Sequence, residues 1–184
     1  MALRAVPVRP GIDHYSGIRK LMKTAFPECE QFPFWLLRLF AFRRHVDFTA
    51  FFDGDVFCGA VYTAEYDDMM FILYLAVSGD VRSKGYGSMM LEHVKDKAGG
   101  KAIVLDAEYP RADAPNADER LRRMRFYRKN GIEYTGYLFK DGEEGYAVLS
   151  SDPCSFNPVG FEKLIRSFTY GIWRTRLIKD DKTI

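Results

Sequence analysis

The strongest constraint on the fold is an apolar run, Met69–Val77, that a short loop joins to a helical pattern. The run is rich in residues that favour strands, which is typical of a strand buried on both faces. Gly79-Asp80 ends it, and the spacing of apolar residues predicts a helix over about Gly85–Ala98. A buried strand that leads through a loop into a helix, among hairpins, predicts an α/β or α+β fold with a mixed sheet.

Apolar periodicity and turn signals outline the other elements. Asp13 is the predicted N-cap of the first helix, and Asp53-Gly54-Asp55 is the predicted turn of a hairpin. The tail Phe168–Ile178 fits either a strand or a helix. The other predicted strands are Leu3–Val8, Phe48–Phe52, Val56–Ala64, Lys101–Ala107, Ile132–Phe139 and Tyr146–Ser150, and the other helices follow Asp13 and cover Pro33–Arg44, Asp118–Asn130 and Pro158–Arg166.

No internal repeat, low-complexity tract or linker-like stretch divides the 184 residues. A chain of this length suits one domain with a sizeable core. We therefore predict a single domain over residues 1–184, with its core in residues 1–150 and a C-terminal helix and tail in residues 151–184.

Charge and cysteine content narrow the function classes. Lys plus Arg number 27 and Asp plus Glu number 25, which argues against broad electrostatic binding of nucleic acid. No apolar run reaches membrane-spanning length and no signal peptide is visible, so we expect no membrane partner. The cysteines Cys29, Cys58 and Cys154 are odd in number and widely spaced. This pattern predicts neither a disulfide framework nor a metal site, and it favours the cytoplasm.

The loop between the predicted strand and helix has the features of a phosphate-binding site. Gly85 and Gly87 lack a Cβ atom, so an anion can approach the backbone closely. The first amides of a helix have no intrahelical partner, and the helix dipole adds positive potential there. Arg82 and Lys84 add formal charge, and Ser88 can donate a hydroxyl. The spacing matches neither a Walker loop nor a Rossmann fingerprint, and the alternative is a glycine-rich helix start with solvated cations.

Two segments together resemble the GNAT superfamily of coenzyme-A-dependent N-acetyltransferases. Arg82-Ser83-Lys84-Gly85-Tyr86-Gly87 resembles that family's signature, (Gln/Arg)-x-x-Gly-x-(Gly/Ala). It follows Leu75-Ala76-Val77, which is similar to the end of the family's fourth strand. Downstream, Arg125-Phe126-Tyr127-Arg128-Lys129-Asn130-Gly131-Ile132 is similar to the family's Phe-Tyr-x-x-x-Gly-Phe segment, with Ile132 in place of the last Phe. The resemblance covers most of residues 1–150.

The resemblance implies a GNAT-like fold: a central, mixed but mostly antiparallel sheet of about seven strands, flanked by helices. The strands at Met69–Val77 and Lys101–Ala107 would splay apart to admit the cofactor. It implies an enzyme that transfers an acetyl group from acetyl-CoA, its cosubstrate, to a primary amine. The amine, in a small molecule or a peptide, would attack directly in a ternary complex.

The resemblance also implies residue roles. Leu75-Ala76-Val77 would pair with the pantetheine arm, chiefly through the backbone of Leu75 and Val77. Tyr127 matches the tyrosine that often protonates the departing thiolate, and Asn116 resembles an asparagine that contacts coenzyme A, although its spacing to Tyr127 is longer than the commonest pattern. The pyrophosphate would be held by the backbone of Arg82, Ser83, Lys84, Gly85, Tyr86, Gly87 and Ser88.

The candidate bases are Asp106 and Glu108. They are two residues apart on a predicted strand, so their side chains point to the same face. Neighbouring carboxylates can raise one another's pKa, which suits a group that must take the proton of an ammonium. The alternatives are a solvated charge at the strand end, an ion pair with Arg122 or Arg123, and a water chain as the base.

Several alternatives stay open at this level. An acyl-CoA-binding module without catalysis would fit the same loop. A nucleic-acid-binding domain rests only on the basic run Arg120–Arg125 with Arg128-Lys129. The loop Phe26–Phe34, with Glu28 and Glu30, would lie over the acceptor groove by analogy with the family, or it is a solvated acidic loop. The acceptor, the preferred acyl length and the choice between monomer and homodimer are not readable from the sequence.

Overall fold

A computed structural model describes residues 3–141, 144–171 and 176–180. Within these ranges the chain forms eight strands and five helices. The strands are β1 (Arg4–Pro7), β2 (Val46–Asp53), β3 (Val56–Tyr66), β4 (Met69–Val77), β5 (Ala102–Glu108), β6 (Glu133–Asp141), β7 (Glu144–Ser150) and β8 (Leu177–Lys179). The helices are α1 (Tyr15–Thr24), α2 (Phe34–Phe40), α3 (Tyr86–Ala98), α4 (Ala117–Lys129) and α5 (Pro158–Phe168).

The mixed α/β fold class is confirmed, and the order of elements agrees with the predicted one. Three details differ. The N-cap of α1 is His14, in the left-handed conformation at φ 59°, and not Asp13. Helix α2 ends at Phe40, where hydrogen bonds to the third residue back tighten the chain into turns. The tail contributes the short strand β8 beyond the seven strands expected; residues 172–175 of the predicted tail lie outside the described residues.

The chain divides into two compact units, which we describe separately. The first comprises Met1–Ala64 and Ile72–Gly99, and the second comprises Glu65–Phe71 and Gly100–Ile184. Strand β4 contributes residues to both units. The predicted splay beside β4 and the predicted single domain stay predictions.

The first unit holds strands in the order β1-β2-β3-β4, with antiparallel pairing from β1 to β3. Phe48 and Phe51 lie an odd number of residues apart on β2, so they point to opposite faces. Phe48 packs against Phe34 of α2, and Phe51 packs against His93 of α3. Helices therefore cover both faces of this part of the sheet, which explains why β3 and β4 are so apolar.

Strands β3 and β4 approach each other closely at Gly59. A Cβ atom there would lie 2.2 Å from the carbonyl oxygen of Ala76 and 2.6 Å from the methyl carbon of Met90. One residue earlier, the carbonyl of Cys58 accepts a hydrogen bond from the Ser78 amide at 2.8 Å. Only glycine fits at this position, and the contact fixes the end of β4 from which the phosphate loop departs.

The second unit contains antiparallel strands in the order β5-β7-β6-β8. Its core includes Phe161 of α5, which is fully buried and packs against Phe71. The N-cap of α5 is Asn157, whose side chain accepts from the Gly160 amide, and Pro158 opens the helix. Strand β5 and helix α4, which carry the candidate catalytic residues, belong to this unit.

Across the described residues, no helix combines the length and the apolar character that a membrane span needs.

Candidate functional site

The phosphate loop of the first unit leads from β4 into α3. Gly85 is the N-cap of α3 in a left-handed conformation, at φ 84°, and Ser83 also has a positive φ of 66°. Left-handed turns of this kind direct successive backbone N–H groups toward one side, where an anion can bind. Arg82, Ser83, Lys84 and Gly85 are exposed, whereas Gly87 is buried.

The loop is tied to the β2–β3 hairpin by one side-chain hydrogen bond. The hydroxyl of Tyr86, the first residue of α3, donates to Oδ2 of Asp53 at 2.7 Å. Tyr86 is only 9% exposed, although the hydroxyl end of its side chain and Asp53 are part-buried. This hydrogen bond raises the pKa of Tyr86 to about 12. The signature motif thus contributes a buried anchor as well as backbone amides.

The end of β4 has the alternation expected of a strand with one accessible face. Ala76 is buried, while Leu75 and Val77 are half-buried. Immediately before them, Tyr74 lines a cavity of about 360 Å³ in the same unit. Residues of the predicted acceptor loop, among them Glu28 and Gln31, line this cavity as well.

In the second unit, both Asp106 and Glu108 interact with side chains of α4. Asp106 is half-buried and interacts electrostatically with Tyr127 of α4. Glu108 is 9% exposed and contacts α4 directly. In register, the two residues lie opposite Val148 and Tyr146 of β7.

The carboxylate of Glu108 is bound by three side chains. Its Oε1 atom lies 3.0 Å from Arg120 and 3.1 Å from the amide nitrogen of Asn116. Its Oε2 atom lies 2.9 Å from Arg123. Asn116 also accepts a hydrogen bond from Arg120, at 2.7 Å, through its own carbonyl oxygen. These contacts favour the ion-pair alternative for Glu108, with Arg120 as a further partner, and they engage both polar atoms of Asn116.

Tyr127 lies on the same face of α4, and it is 8% exposed. Burial raises the pKa of Tyr127 to about 12, while nearby Arg123 acts in the opposite direction. Among the described residues, none forms a hydrogen bond with its hydroxyl. The group is therefore protonated at neutral pH and can donate to a ligand.

Sequence reasoning missed Arg120 and Asp53. Arg120 sits in a basic run that looks solvated, yet it is 4% exposed and paired with Glu108. The available signal was its spacing: Asn116, Arg120, Arg123 and Tyr127 recur at intervals of four and three, which is one face of a helix. Asp53 carried no signal beyond its place in a hairpin turn. Two arginines of the basic run, the buried Arg120 and the part-exposed Arg123, are thus engaged by Glu108.

Among the described residues, no three or more His, Cys, Asp or Glu side chains lie together in a group that could hold a metal ion.

Comparison with known proteins identifies a family whose profile matches this chain. The profile of the acetyltransferase (GNAT) family matches residues 15–132, which include β4, the phosphate loop and Tyr127. A comparison with curated protein sequences gave no match.

Solved structures share the fold at low sequence identity. A protein from Bacteroides thetaiotaomicron assigned to the GNAT family superposes with a TM-score of 0.72 and 22% identity, covering 92% of this chain and 99% of its own. A Bacillus subtilis acetyltransferase in complex with CoA gives 0.58 and 16%, covering 80% and 97%. An aminoglycoside 6'-N-acetyltransferase from Enterococcus faecium gives 0.61 and 13%, covering 82% and 96%.

Proposed function

Because the chain belongs to the GNAT family of acetyltransferases, we propose that it transfers an acetyl group from acetyl-CoA to a primary amine. The observation that carries the proposal is the strand–loop–helix unit of β4 and α3, with left-handed Ser83 and Gly85 and exposed Arg82 and Lys84. This arrangement suits a pyrophosphate. The Bacillus subtilis neighbour, which has CoA bound, supports the same ligand for this chain.

Different residues are assigned to different parts of acetyl-CoA. Leu75-Ala76-Val77 offers backbone groups to the pantetheine arm like an added strand. The backbone from Arg82 to Ser88 holds the pyrophosphate, except that the Ser88 amide already donates to the Gly85 carbonyl at 3.0 Å. Ser88 would therefore contribute through its hydroxyl. Arg82 and Lys84 add positive charge beside the phosphates.

When bound, acetyl-CoA supplies a thioester whose C–S bond breaks as the amine nitrogen forms a new C–N bond to the acetyl carbon. The amine must first lose a proton, because an alkylammonium with a pKa of about 10 is not a nucleophile. Asp106 and Glu108 are the candidates for this base; Glu108 is engaged by two arginines, and Asp106 lies near Tyr127. A water chain leading to Asp106 would serve equally. Tyr127 is the candidate group that stabilises or protonates the departing thiolate.

The test is thiol release from acetyl-CoA by the full chain, with a panel of small amines and peptides and mass detection of the acetylated product. We expect release that depends on both acetyl-CoA and the acceptor. Arg82→Gln and Lys84→Gln should raise the KM for acetyl-CoA by about threefold to tenfold. Lys95→Gln on the surface of α3 is the control and should leave it unchanged. If coenzyme A binds but no acceptor causes thiol release from acetyl-CoA, the transferase proposal is wrong.

An acyl-CoA-binding module without transfer is the second candidate, and the engaged state of Glu108 favours it. The variants Asp106→Asn and Glu108→Gln distinguish a transferase from a binding module. For a transferase, Asp106→Asn lowers kcat and flattens the acid limb of the pH profile of kcat/KM. If the chain is a binding module, the two variants should change its stability and no other property.

The proposal also covers the domain organisation and the cellular location of the chain. We treat residues 1–184 as one acyltransferase domain. We also propose a cytoplasmic location, where the free thiols of Cys58 and Cys154 would stay reduced.

A further inference from the structure

The cavity beside β4 in the first unit has a volume of about 360 Å³, which suits a small molecule. Helix α1, the segment after it, helix α2 and Tyr74 of β4 form its walls. Tyr74 immediately precedes Leu75-Ala76-Val77, the strand end that we assign to the pantetheine arm. A molecule in this cavity would therefore lie next to that end of β4.

The wall of the cavity is built by hydrogen bonds that fix the loop after α1. The hydroxyl of Tyr74 accepts from the Phe32 amide at 3.1 Å and donates to the carbonyl of Glu30. The side-chain amide of Gln31 donates to the carbonyls of Phe26, at 2.6 Å, and Lys23, at 3.0 Å. Because the loop is held to β4 and to α1, the cavity is preformed, and a ligand pays little to organise it.

The charges around the cavity are unequal. Arg19 and Lys23 lie four residues apart on α1, so they share one face of the helix. Among the described lining residues, Glu28 is the single acidic one, which leaves an excess of one positive charge there. Within the described part of the chain, Arg19 and Lys23 form no ion pair with an acidic side chain. Two cations without protein partners favour an anionic group on the ligand and disfavour a polycation.

Apart from Gln31, the remaining lining is apolar and aromatic. It includes Met22, Phe34 and Leu37. Tyr74 contributes its ring, which packs against Phe26 with ring centroids 4.6 Å apart. Such a wall suits the hydrocarbon part of a ligand.

We propose that this cavity is the acceptor site, and that it selects a free amino acid with an apolar side chain over an amine that lacks a carboxylate. Arg19 and Lys23 bind the carboxylate, Glu28 attracts the ammonium group, and the aromatic wall covers the side chain. The inference rests on the proposed acetyl transfer, because it names the acceptor of that reaction. A polyamine meets a net positive wall and is disfavoured.

The experiment compares matched pairs of amines that differ only in the carboxylate: L-phenylalanine with 2-phenylethylamine, and L-leucine with 3-methylbutylamine. Spermidine represents the polycations. Two measurements use the full chain: kcat/KM by thiol release, and binding by ligand-observed NMR. We expect the carboxylate member of at least one pair to be preferred about tenfold, and spermidine to rank last.

Variants assign the preference to the cavity. Arg19→Gln combined with Lys23→Gln should reduce the preference for the carboxylate member to about twofold or less. Lys20→Gln is the matched control, because Lys20 is an exposed cation on the same helix that does not line the cavity. It should leave the preference intact. Equal loss in the control would overturn the assignment.

The two measurements separate this inference from the proposed function. If no amine is acetylated but the NMR preference and its loss in the double variant are observed, the transfer reaction is wrong and the ligand class stands. If amines are acetylated without preference for the carboxylate, or with preference for spermidine, the transfer stands and this inference is overturned. Absence of the preference in both measurements also overturns it.

Discussion

The pKa of Tyr127 limits what its hydroxyl can do as an acid. Burial raises it to about 12, whereas a free thiol has a pKa of about 8.5. Full proton transfer from this phenol to a thiolate is therefore unfavourable by on the order of a thousandfold. We expect the hydroxyl to donate a hydrogen bond to the departing sulfur and to keep its proton.

Replacing Tyr127 by Phe tests this view. Loss of one hydrogen bond should lower kcat by about tenfold. The KM for acetyl-CoA should stay within about twofold, because the pyrophosphate loop is intact. The measurement is steady-state thiol release, and Tyr109→Phe in the same unit is the control. A loss of a thousandfold or more would indicate that the phenol transfers its proton after all.

The bond between Tyr86 and Asp53 is a second residue-scale feature with a measurable effect. It fixes the first residue of α3, and thereby the direction of the amides that would hold the pyrophosphate. Tyr86→Phe or Asp53→Ala should raise the KM for acetyl-CoA by about threefold to tenfold with kcat unchanged, because preorganisation is lost.

A double variant checks that these two residues act through one bond. Tyr86→Phe combined with Asp53→Ala should raise KM no further than either change alone. Asp55→Asn, in the same hairpin turn, is the control and should have no effect. Additive increases in the double variant would show that the residues act independently.

At the scale of elements, Glu108 and Arg120 join β5 to α4. Both side chains are buried, and the charge of Glu108 is compensated by Arg120 together with the less buried Arg123. Arg120→Met should lower the free energy of unfolding by about 3 kcal/mol, because it leaves a buried carboxylate with fewer donors. Arg122→Met is the matched control, since Arg122 is exposed and makes only a 3.4 Å hydrogen bond within α4. Urea unfolding followed by circular dichroism measures both, and similar losses would contradict the buried pair.

The sequence predicted these elements well because each carries a local signal. β4 is a continuous apolar run, the β2–β3 hairpin contains Asp-Gly, and Gly131 follows α4 at φ 70°. The left-handed conformation of Gly85 was also predictable, since glycines mark such positions, whereas Ser83, at φ 66°, carries no such signal.

The partners of the site residues were not predictable in the same way. The ion pair of Glu108 depends on how α4 packs onto β5, and no local pattern determines the rotation of that helix. Arg120 lies between Glu119 and Leu121, where a solvated arginine would look the same. The Tyr86–Asp53 bond likewise joins residues far apart in sequence. Such contacts become visible only when the tertiary structure is known.

At the scale of the whole molecule, the chain passes between its two compact units three times, and β4 is divided between them. Because the two units share strand β4, unfolding of one unit removes part of a strand that belongs to the other. The single domain expected from the sequence therefore stays a prediction with a direct test: hydrogen exchange during urea unfolding should show both units losing protection at the same urea concentration.

Raised tyrosine pKa values occur in both units and predict sensitivity to alkali. Burial raises the pKa of Tyr62 and Tyr134, and Asp180 adds to the effect at Tyr134; Tyr86 and Tyr127 reach about 12. A pKa that is higher in the folded state means that the fold favours the protonated phenol. The associated stability is complete below pH 10, the ordinary tyrosine value, and is lost as the pH rises through 12.

Urea unfolding at pH 8, 10 and 11 measures this loss. Stability should fall between pH 10 and 11, and the buried Tyr127 alone should account for about 1 kcal/mol at pH 11. Tyr127→Phe removes that titration, so its unfolding free energy should fall less steeply with pH than that of the parent. Tyr170→Phe is the control, because Tyr170 is 66% exposed, and it should keep the parent's slope. A parent whose stability is constant up to pH 11 would show that these phenols ionise in the folded state as easily as in water.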